Sequence, residues 1–236
     1  MTLWARLSWQ AAVPDAFAPA VAARLGVGTR PGGGVPGAWT IGLGVADLEV
    51  RPWLRESPSD DPVGEGRLVL EPVPGGEEPP DPSDEISLVL AGLGWATVEL
   101  DRAEDELGPW LGGATPGLPG RELADSLLGA RARVRAAAGL PGEAIVLLEP
   151  ATEGRLAASL ARDGEGPCAL YLRPAAGLPA WAAAAASRGV DLGARREGPL
   201  GPGALLLGGP IGGPHLILLD ASGPPNRKAP AGTIEP

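Results

Sequence analysis

Glu143-Ala-Ile-Val-Leu-Leu-Glu-Pro150 and Gly164-Glu-Gly-Pro-Cys-Ala-Leu-Tyr171 are two apolar runs separated by a helix-like stretch from Thr152 to Arg162. The first run reads as a strand ended by Glu-Pro, and the second as a new strand entered through Gly-Glu-Gly. Outward from this pair, three stretches of the chain share one plan: a strand, an amphipathic helix, and an apolar strand closed by an acid. In the first, Leu7-Ser-Trp-Gln-Ala11 is the strand, Phe17, Val21 and Leu25 fall on one helical face, and Gly66-Arg-Leu-Val-Leu-Glu-Pro72 closes. In the second, Trp95 to Leu100 is the strand and Asp101 with Glu104 makes a capping box. Its helix places Ala103, Leu107 and Leu111 on one face, stops at Gly112-Gly113, and the unit closes at Leu148-Glu-Pro150. The third runs from Cys168-Ala-Leu-Tyr-Leu-Arg173 through a helix entered at Pro179 and stopped at Gly189, and closes with Leu216-Ile-Leu-Leu-Asp220.

The Leu-Leu-Glu-Pro strand end, the short helix and the Gly-Glu-Gly entry together resemble the vicinal-oxygen-chelate superfamily, most closely its methylmalonyl-CoA epimerase-like branch. The match is close over about thirty residues and extends loosely from Ser87 to Asp220. The resemblance implies an α+β fold of repeated βαβββ modules. Two of them, residues 87–221, would form a curved, barrel-like mixed sheet with helices outside and a cavity on its concave face. Residues 1–71 are then an extra N-terminal βαβββ-like module, 72–86 an acidic Pro/Gly linker, and 222–236 a flexible tail. In that family a metal ion sits at four ligand positions. Here the matching places hold Leu93 or Gly94, Val146, Ala169 and Leu218, so the resemblance implies the architecture with no metal and no cofactor. The family's metal polarises a substrate carbonyl and stabilises an enolate, and a chain without the ligands does not inherit that step.

With 236 residues, 44% of them hydrophobic, the chain is long enough to bury a sizeable core. Its 37 glycines and 28 prolines punctuate apolar strands and so read as turns. Gly32-Gly-Gly34 and Gly208-Gly209 match neither a dinucleotide fingerprint nor a phosphate-binding loop. A single cysteine excludes an intramolecular disulfide, and the N-terminus lacks a basic start followed by a long apolar run. No stretch approaches the roughly 18 consecutive apolar residues of a membrane span. The expectation is a cytoplasmic protein with no membrane partner. A net charge of −10, with no basic stripe interleaved with aromatics, argues against nucleic acid. Acids crowd the segment from Ser57 to Glu85 against the single base Arg67, and from about 72 to 85 it reads as a solvated linker. The first unit then either packs on the edge of the paired modules or pairs with its copy in a homodimer.

Alternate residues of a strand share a face, so the implied ligand positions mark the concave one. From Ala169 this selects Tyr171 and Arg173; from Val146, Leu148; from Leu93, Trp95, Thr97 and Glu99; from Leu218, Leu216 and Asp220. The candidate binding residues are thus Trp95, Thr97, Val146, Leu148, Ala169, Arg173, Leu216 and Leu218, with Tyr171 and Glu99 as candidate catalytic groups. Such a lining suits a small, mostly apolar organic ligand oriented by a few polar contacts. Each polar candidate has a structural counterpart. Glu99 and Arg173 can form an ordinary ion pair, Tyr171 can be a core tyrosine with a satisfied hydroxyl, and Trp95 can serve packing. His215, the only histidine, and Cys168, the only cysteine, fall opposite the concave face and read as structural. Arg131, Arg133 and Arg135 share one strand face, either an anion site or a solvated surface.

Two functions follow from these residues. The loss of ligating side chains favours a metal-independent glyoxalase-like protein that binds its ligand without turnover, of the sequestration or resistance type. The alternative is a metal-free isomerase or lyase in which Tyr171 or Glu99 transfers a proton and Arg173 steadies an oxyanion. A third reading is a structural module that pairs with another protein through its first unit.

Overall fold

The computed structural model describes residues 4–11, 13–32, 36–43, 46–52, 66–73, 88–111, 122–137, 142–208 and 214–220. In the first unit β1 (Trp4–Ala11) leads into α1 (Pro14–Leu25), followed by β2 (Thr29–Pro31), β3 (Trp39–Leu43) and β4 (Ala46–Pro52). The helix starts at a proline, whose fixed φ suits a first turn. It ends where Gly26, at φ 71°, takes a left-handed conformation and returns its N–H to the carbonyls of the last turn. β4 runs parallel to β1 with Ser8 beside Glu49, so β4 closes this βαβββ unit. The expected closing run is a separate strand, β5 (Gly66–Val73), which adds antiparallel on the other side of β1. An apolar run identifies a strand without stating its partner or direction.

The second unit comprises β6 (Leu88–Ala96), α2 (Leu100–Leu107), β7 (Glu122–Asp125), β8 (Ala130–Ala136) and β9 (Ala144–Pro150). After α3 (Arg155–Asp163), the third comprises β10 (Gly166–Pro174), α4 (Leu178–Ser187), β11 (Arg196–Gly198), β12 (Gly201–Leu205) and β13 (His215–Leu219). β6 begins well before the expected Trp95, because it is buried on both faces and lacks the alternation that marks a half-exposed strand. The expected capping box is also absent. Glu99 is the N-cap residue and makes no side-chain cap, while Asp101 and Glu104 bind Arg133 on β8.

One sheet takes the order β2-β3-β4-β1-β5, and the other β11-β12-β13-β10-β6-β9-β8-β7. In the larger sheet β6 and β10 are antiparallel neighbours at the centre, and each unit's last strand runs parallel to its first. Its two edge strands meet where the Ser126 N–H donates to the Glu197 carbonyl at 3.1 Å, so the sheet curls into a nearly closed barrel. This is the paired βαβββ architecture of the vicinal-oxygen-chelate fold. Among the described residues no helix is long and apolar enough to cross a membrane.

One apolar core joins the N-terminal unit to the outside of the barrel: Leu7, Trp9, Phe17 and Val21 pack with Leu90, Leu93, Leu172 and Trp181. Trp9 meets Phe17 edge-on at 4.7 Å, and the Trp181 indole donates to the Leu25 carbonyl at 3.1 Å. A second core seats α2, with Leu100, Ala103 and Leu107 against Ile145 and Leu147. The expected stop at Gly112-Gly113, most of the linker (74–86), the tail (222–236) and Gly33, Gly34 and Gly209 lie outside the described residues.

The barrel depends on backbone approach at β6. A Cβ on Gly94 would stand 2.7 Å from the Ala169 Cβ and 3.1 Å from the Leu148 Cδ1. Gly94→Val is therefore expected to destabilise by about 1–3 kcal/mol, seen as a lower urea midpoint. Gly154→Ala, where a Cβ meets nothing within 4 Å, is expected to leave the midpoint nearly unchanged.

Candidate functional site

Across β9, β6 and β10 the register sets Val146, Gly94 and Ala169 side by side in one row. Residues opposite one another in a ladder share a face, and these three belong to the concave one. Around them Ala132, Leu148, Tyr171, Ile217 and Leu219 form a single buried cluster. Val146, Gly94, Ala169 and the neighbouring Ile217 and Leu219 offer no ligating side-chain atom; the row continues on β13 to His215, a single imidazole held by the Ser159 hydroxyl of α3. A metal ion of the kind the vicinal-oxygen-chelate superfamily carries does not fit this donor set. Among the described residues, no group of three or more His, Cys, Asp or Glu is placed to hold one.

Two hairpin turns roof the cluster. The turn 126–129 between β7 and β8 contributes Leu127 and Leu128, and the turn 199–200 between β11 and β12 contributes Leu200. Leu200 lies over Gly92, where a Cβ would stand 2.6 Å from its Cδ1, and Leu127 lies against Gly198. Beneath the first turn sits a polar pair. The Asp125 carboxylate accepts from the N–H groups of Leu127 (2.8 Å) and Leu128 (3.2 Å) and from the Tyr171 hydroxyl (2.8 Å). Both side chains are essentially inaccessible to solvent. Burial raises the Asp125 pKa above its ordinary value, with the Tyr171 and backbone hydrogen bonds opposing it. Burial, then the adjacent Asp125 charge, hold the Tyr171 phenol well above its ordinary range. In this arrangement the Tyr171 proton is committed to Asp125.

The structure gathers Val146, Leu148, Ala169 and Tyr171 on the concave face and separates the other expected site residues from it. Leu216 and Leu218 pack with Trp181 and Ala185 on the α4 side. Tyr171 registers with Ile217, which makes Ile217 and Leu219 the inward residues of β13. Alternation through Gly94 likewise turns Trp95 outward, against α2. A shift of one residue exchanges the two faces of a strand, and both misplacements are of this kind. Thr97 is buried beyond the end of β6, and its hydroxyl donates to Glu165 at 2.8 Å. Glu99 is exposed at the start of α2. Arg173 pairs with Glu143 at 3.4 Å, and Asp220 pairs with Arg195 at 2.5 Å. Cys168 packs against the concave cluster, contrary to alternation, because β10 has a bulge between Pro167 and Ala169. Burial raises its thiol pKa.

Three polar assemblies lie outside the expected site. Glu165, the acid of Gly-Glu-Gly, accepts from the Val98 N–H (2.6 Å) and the Thr97 hydroxyl (2.8 Å) and is doubly bonded by Arg102. The Arg102 bond, then the Val98 bond, lower its pKa to about 2. His215 shares the face of Ile217 by alternation and meets the Ser159 hydroxyl of α3 at 3.1 Å. Burial, then the charges of Arg155 and Arg162, lower its pKa to about 4. Arg133 is buried beneath α2 among Asp101, Glu104 and Glu122, while Arg135 bonds Glu104 and Arg131 bonds Glu149. All three arginines face carboxylates of this chain, with Arg133 buried and Arg131 half exposed to solvent. Their alternation was legible, but the acids opposite them come from α2, β7 and β9.

No protein-family model matches the chain, and no curated protein matches it. Solved structures similar to it include methylmalonyl-CoA epimerase from Mycobacterium tuberculosis, at 24% identity and a TM-score of 0.45, covering 55% of this chain and 85% of that one. A Streptomyces coelicolor methylmalonyl-CoA epimerase variant in complex with 2-nitronate-propionyl-CoA is similar at 21% identity and 0.42, covering 56% of this chain and 94% of its own. A hypothetical protein from Bacillus halodurans is similar at 19% and 0.40, covering 56% and 93%. The fold assignment rests on the strand order and register of this chain.

Removing the Tyr171 hydroxyl leaves the buried Asp125 carboxylate one donor short. Tyr171→Phe is expected to lower stability by about 1–3 kcal/mol in chemical denaturation, with the native fold retained by circular dichroism. The two shifted groups His215 and Glu165 give separate acid windows. Between pH 6.5 and about 4 the unfolded chain protonates His215 while the folded chain does not, so stability falls with pH there. Glu165 holds its charge down to about pH 2 when folded but only to 4.5 when unfolded, so its contribution is lost between those values. In a series of melting curves, His215→Gln is expected to flatten the upper window alone, and Glu165→Gln the lower.

Proposed function

We propose that the protein is a metal-independent binding module of the glyoxalase-like type, holding a small, mostly apolar organic ligand on the concave face of the barrel without turnover. The observation that carries this reading is the row Val146, Gly94 and Ala169: the family's chemistry needs donor atoms there, and the row supplies apolar surface. Tyr171 and Asp125 give that surface its polar handle, as an apolar site with a few oriented polar groups requires. The ligand enters by parting the turns 126–129 and 199–200, which are held by one backbone hydrogen bond and the contact of Leu127 with Gly198. A cytoplasmic sequestration or resistance role accords with such a site. The proton-transfer alternative has less support, because the Tyr171 hydroxyl is committed to Asp125 and Glu99 stands exposed at the start of α2.

The test combines native mass spectrometry of the freshly purified chain with a thermal-shift screen of aromatic and aliphatic metabolites. A ligand at about 100 times its Kd is expected to add about 2.7 kcal/mol of stability and to raise Tm accordingly. No shift across the screen, together with no retained organic adduct, would sink the binding reading. A stoichiometric divalent metal in the native spectrum would overturn metal independence.

A further inference from the structure

The row that crosses the concave face does not end at Ala169. β13 sets His215 beside Ala169, so Val146, Gly94, Ala169 and His215 stand side by side across four strands. α3 covers this end of the row. Its residues Leu156 and Leu160 pack against the concave cluster, and Ser159, one turn on from Leu156, meets the His215 imidazole at 3.1 Å. His215 is partly exposed, whereas Tyr171 and Asp125 are buried and satisfy each other. A ligand lying on the apolar row can therefore meet a polar group at His215 without breaking the buried pair.

The charge at this end is positive. After burial, the largest influences on the imidazole are the charges of Arg155 and Arg162, which favour its neutral form, with Asp163 opposing them. Asp163 is already engaged, since its carboxylate pairs with Arg162 at 2.7 Å. Arg155 is exposed and has no carboxylate partner among the described residues. An Nη of Arg162 lies 3.5 Å from the Ser159 hydroxyl oxygen. A neutral imidazole carries its proton on either ring nitrogen. With the proton on Nε2 it donates to Ser159, whose own hydrogen is then free to turn to an acceptor. Hydroxyl and guanidinium donors beside apolar surface suit an amphipathic anion, its apolar body on the row and its charged end at α3.

We propose that the ligand is an apolar carboxylic acid bound as its anion, with the carboxylate at Ser159, His215 and the guanidinium groups of Arg155 and Arg162. The inference rests on the binding reading and names the class of ligand. The experiment is calorimetry and thermal shift of the full chain at neutral pH with octanoic acid, octanamide and octanol, which share one apolar chain and differ in the head group. Octanoate is expected to bind about tenfold or more tightly than the amide and the alcohol, because charge-assisted hydrogen bonds exceed neutral ones. Arg155→Gln/Ser159→Ala is expected to bring octanoate down to the affinity of the amide, and melting curves of the variant report that it remains folded. Equal affinity for the three probes, or a preference for octanoate that survives the double substitution, overturns this inference and leaves the binding reading standing. No binding of octanoate overturns it as well, and the wider metabolite screen then decides the binding reading.

Discussion

The barrel is organised around a residue without a side chain. Gly94 lies between Val146 and Ala169 at the centre of the eight-stranded sheet, and a Cβ there would also stand 3.3 Å from the Tyr171 ring. Because the backbone of β6 presents no atom beyond its Cα, the ring fits the interior and its hydroxyl reaches Asp125. Asp125 in turn holds the turn 126–129 through two backbone N–H groups, and the first residue of that turn makes the hydrogen bond that joins β7 to β11. The closure of the barrel is thus linked, through a chain of contacts, to a glycine at its centre.

The same contacts give the interior its chemistry. A concave face lined by Val146, Leu148, Ala169, Ile217 and Leu219 offers a ligand mostly apolar surface. Its polar handle is a carboxylate and a phenol that hold each other. Such a pair in an apolar surround is costly to leave unsatisfied, which rigidifies the closed state and makes any occupant answer for the hydrogen bonds it displaces. The outside of the barrel is arranged differently. α2 is seated partly by Leu100, Ala103 and Leu107 and partly by the carboxylates of Asp101 and Glu104 on Arg133 and Arg135. The apolar half supplies area, and the ionic half sets the position of the helix over β8.

Much of the architecture was readable from residues alone. The repeated plan of strand, helix and closing strand marked three units, and the stretch from Glu143 to Tyr171 carried the junction between the second and third. The third unit's helix takes Pro179 in its first turn, as its sequence indicated. The site was less legible. Val146, Leu148, Ala169 and Tyr171 share one buried cluster, as the parity counted from the resemblance grouped them. Trp95, Leu216 and Leu218 lie outside it, because β6 and β13 are apolar on both faces and carry no sign of which side is inward. Asp125 lay in a short strand with nothing nearby in sequence to mark it.

The sequence by itself determined the type and order of most elements and the apolar character of the junction strands. These are local properties, written in residue identity and period. Tertiary structure alone decided that β5 pairs with β1 instead of closing its unit, that Ile217 and Leu219 face inward, that Arg133 is surrounded by acids of this chain, and that Tyr171 meets Asp125. Each of these depends on register between strands distant in sequence, and a one-residue slip that local pattern barely resists exchanges the inside of the barrel for the outside.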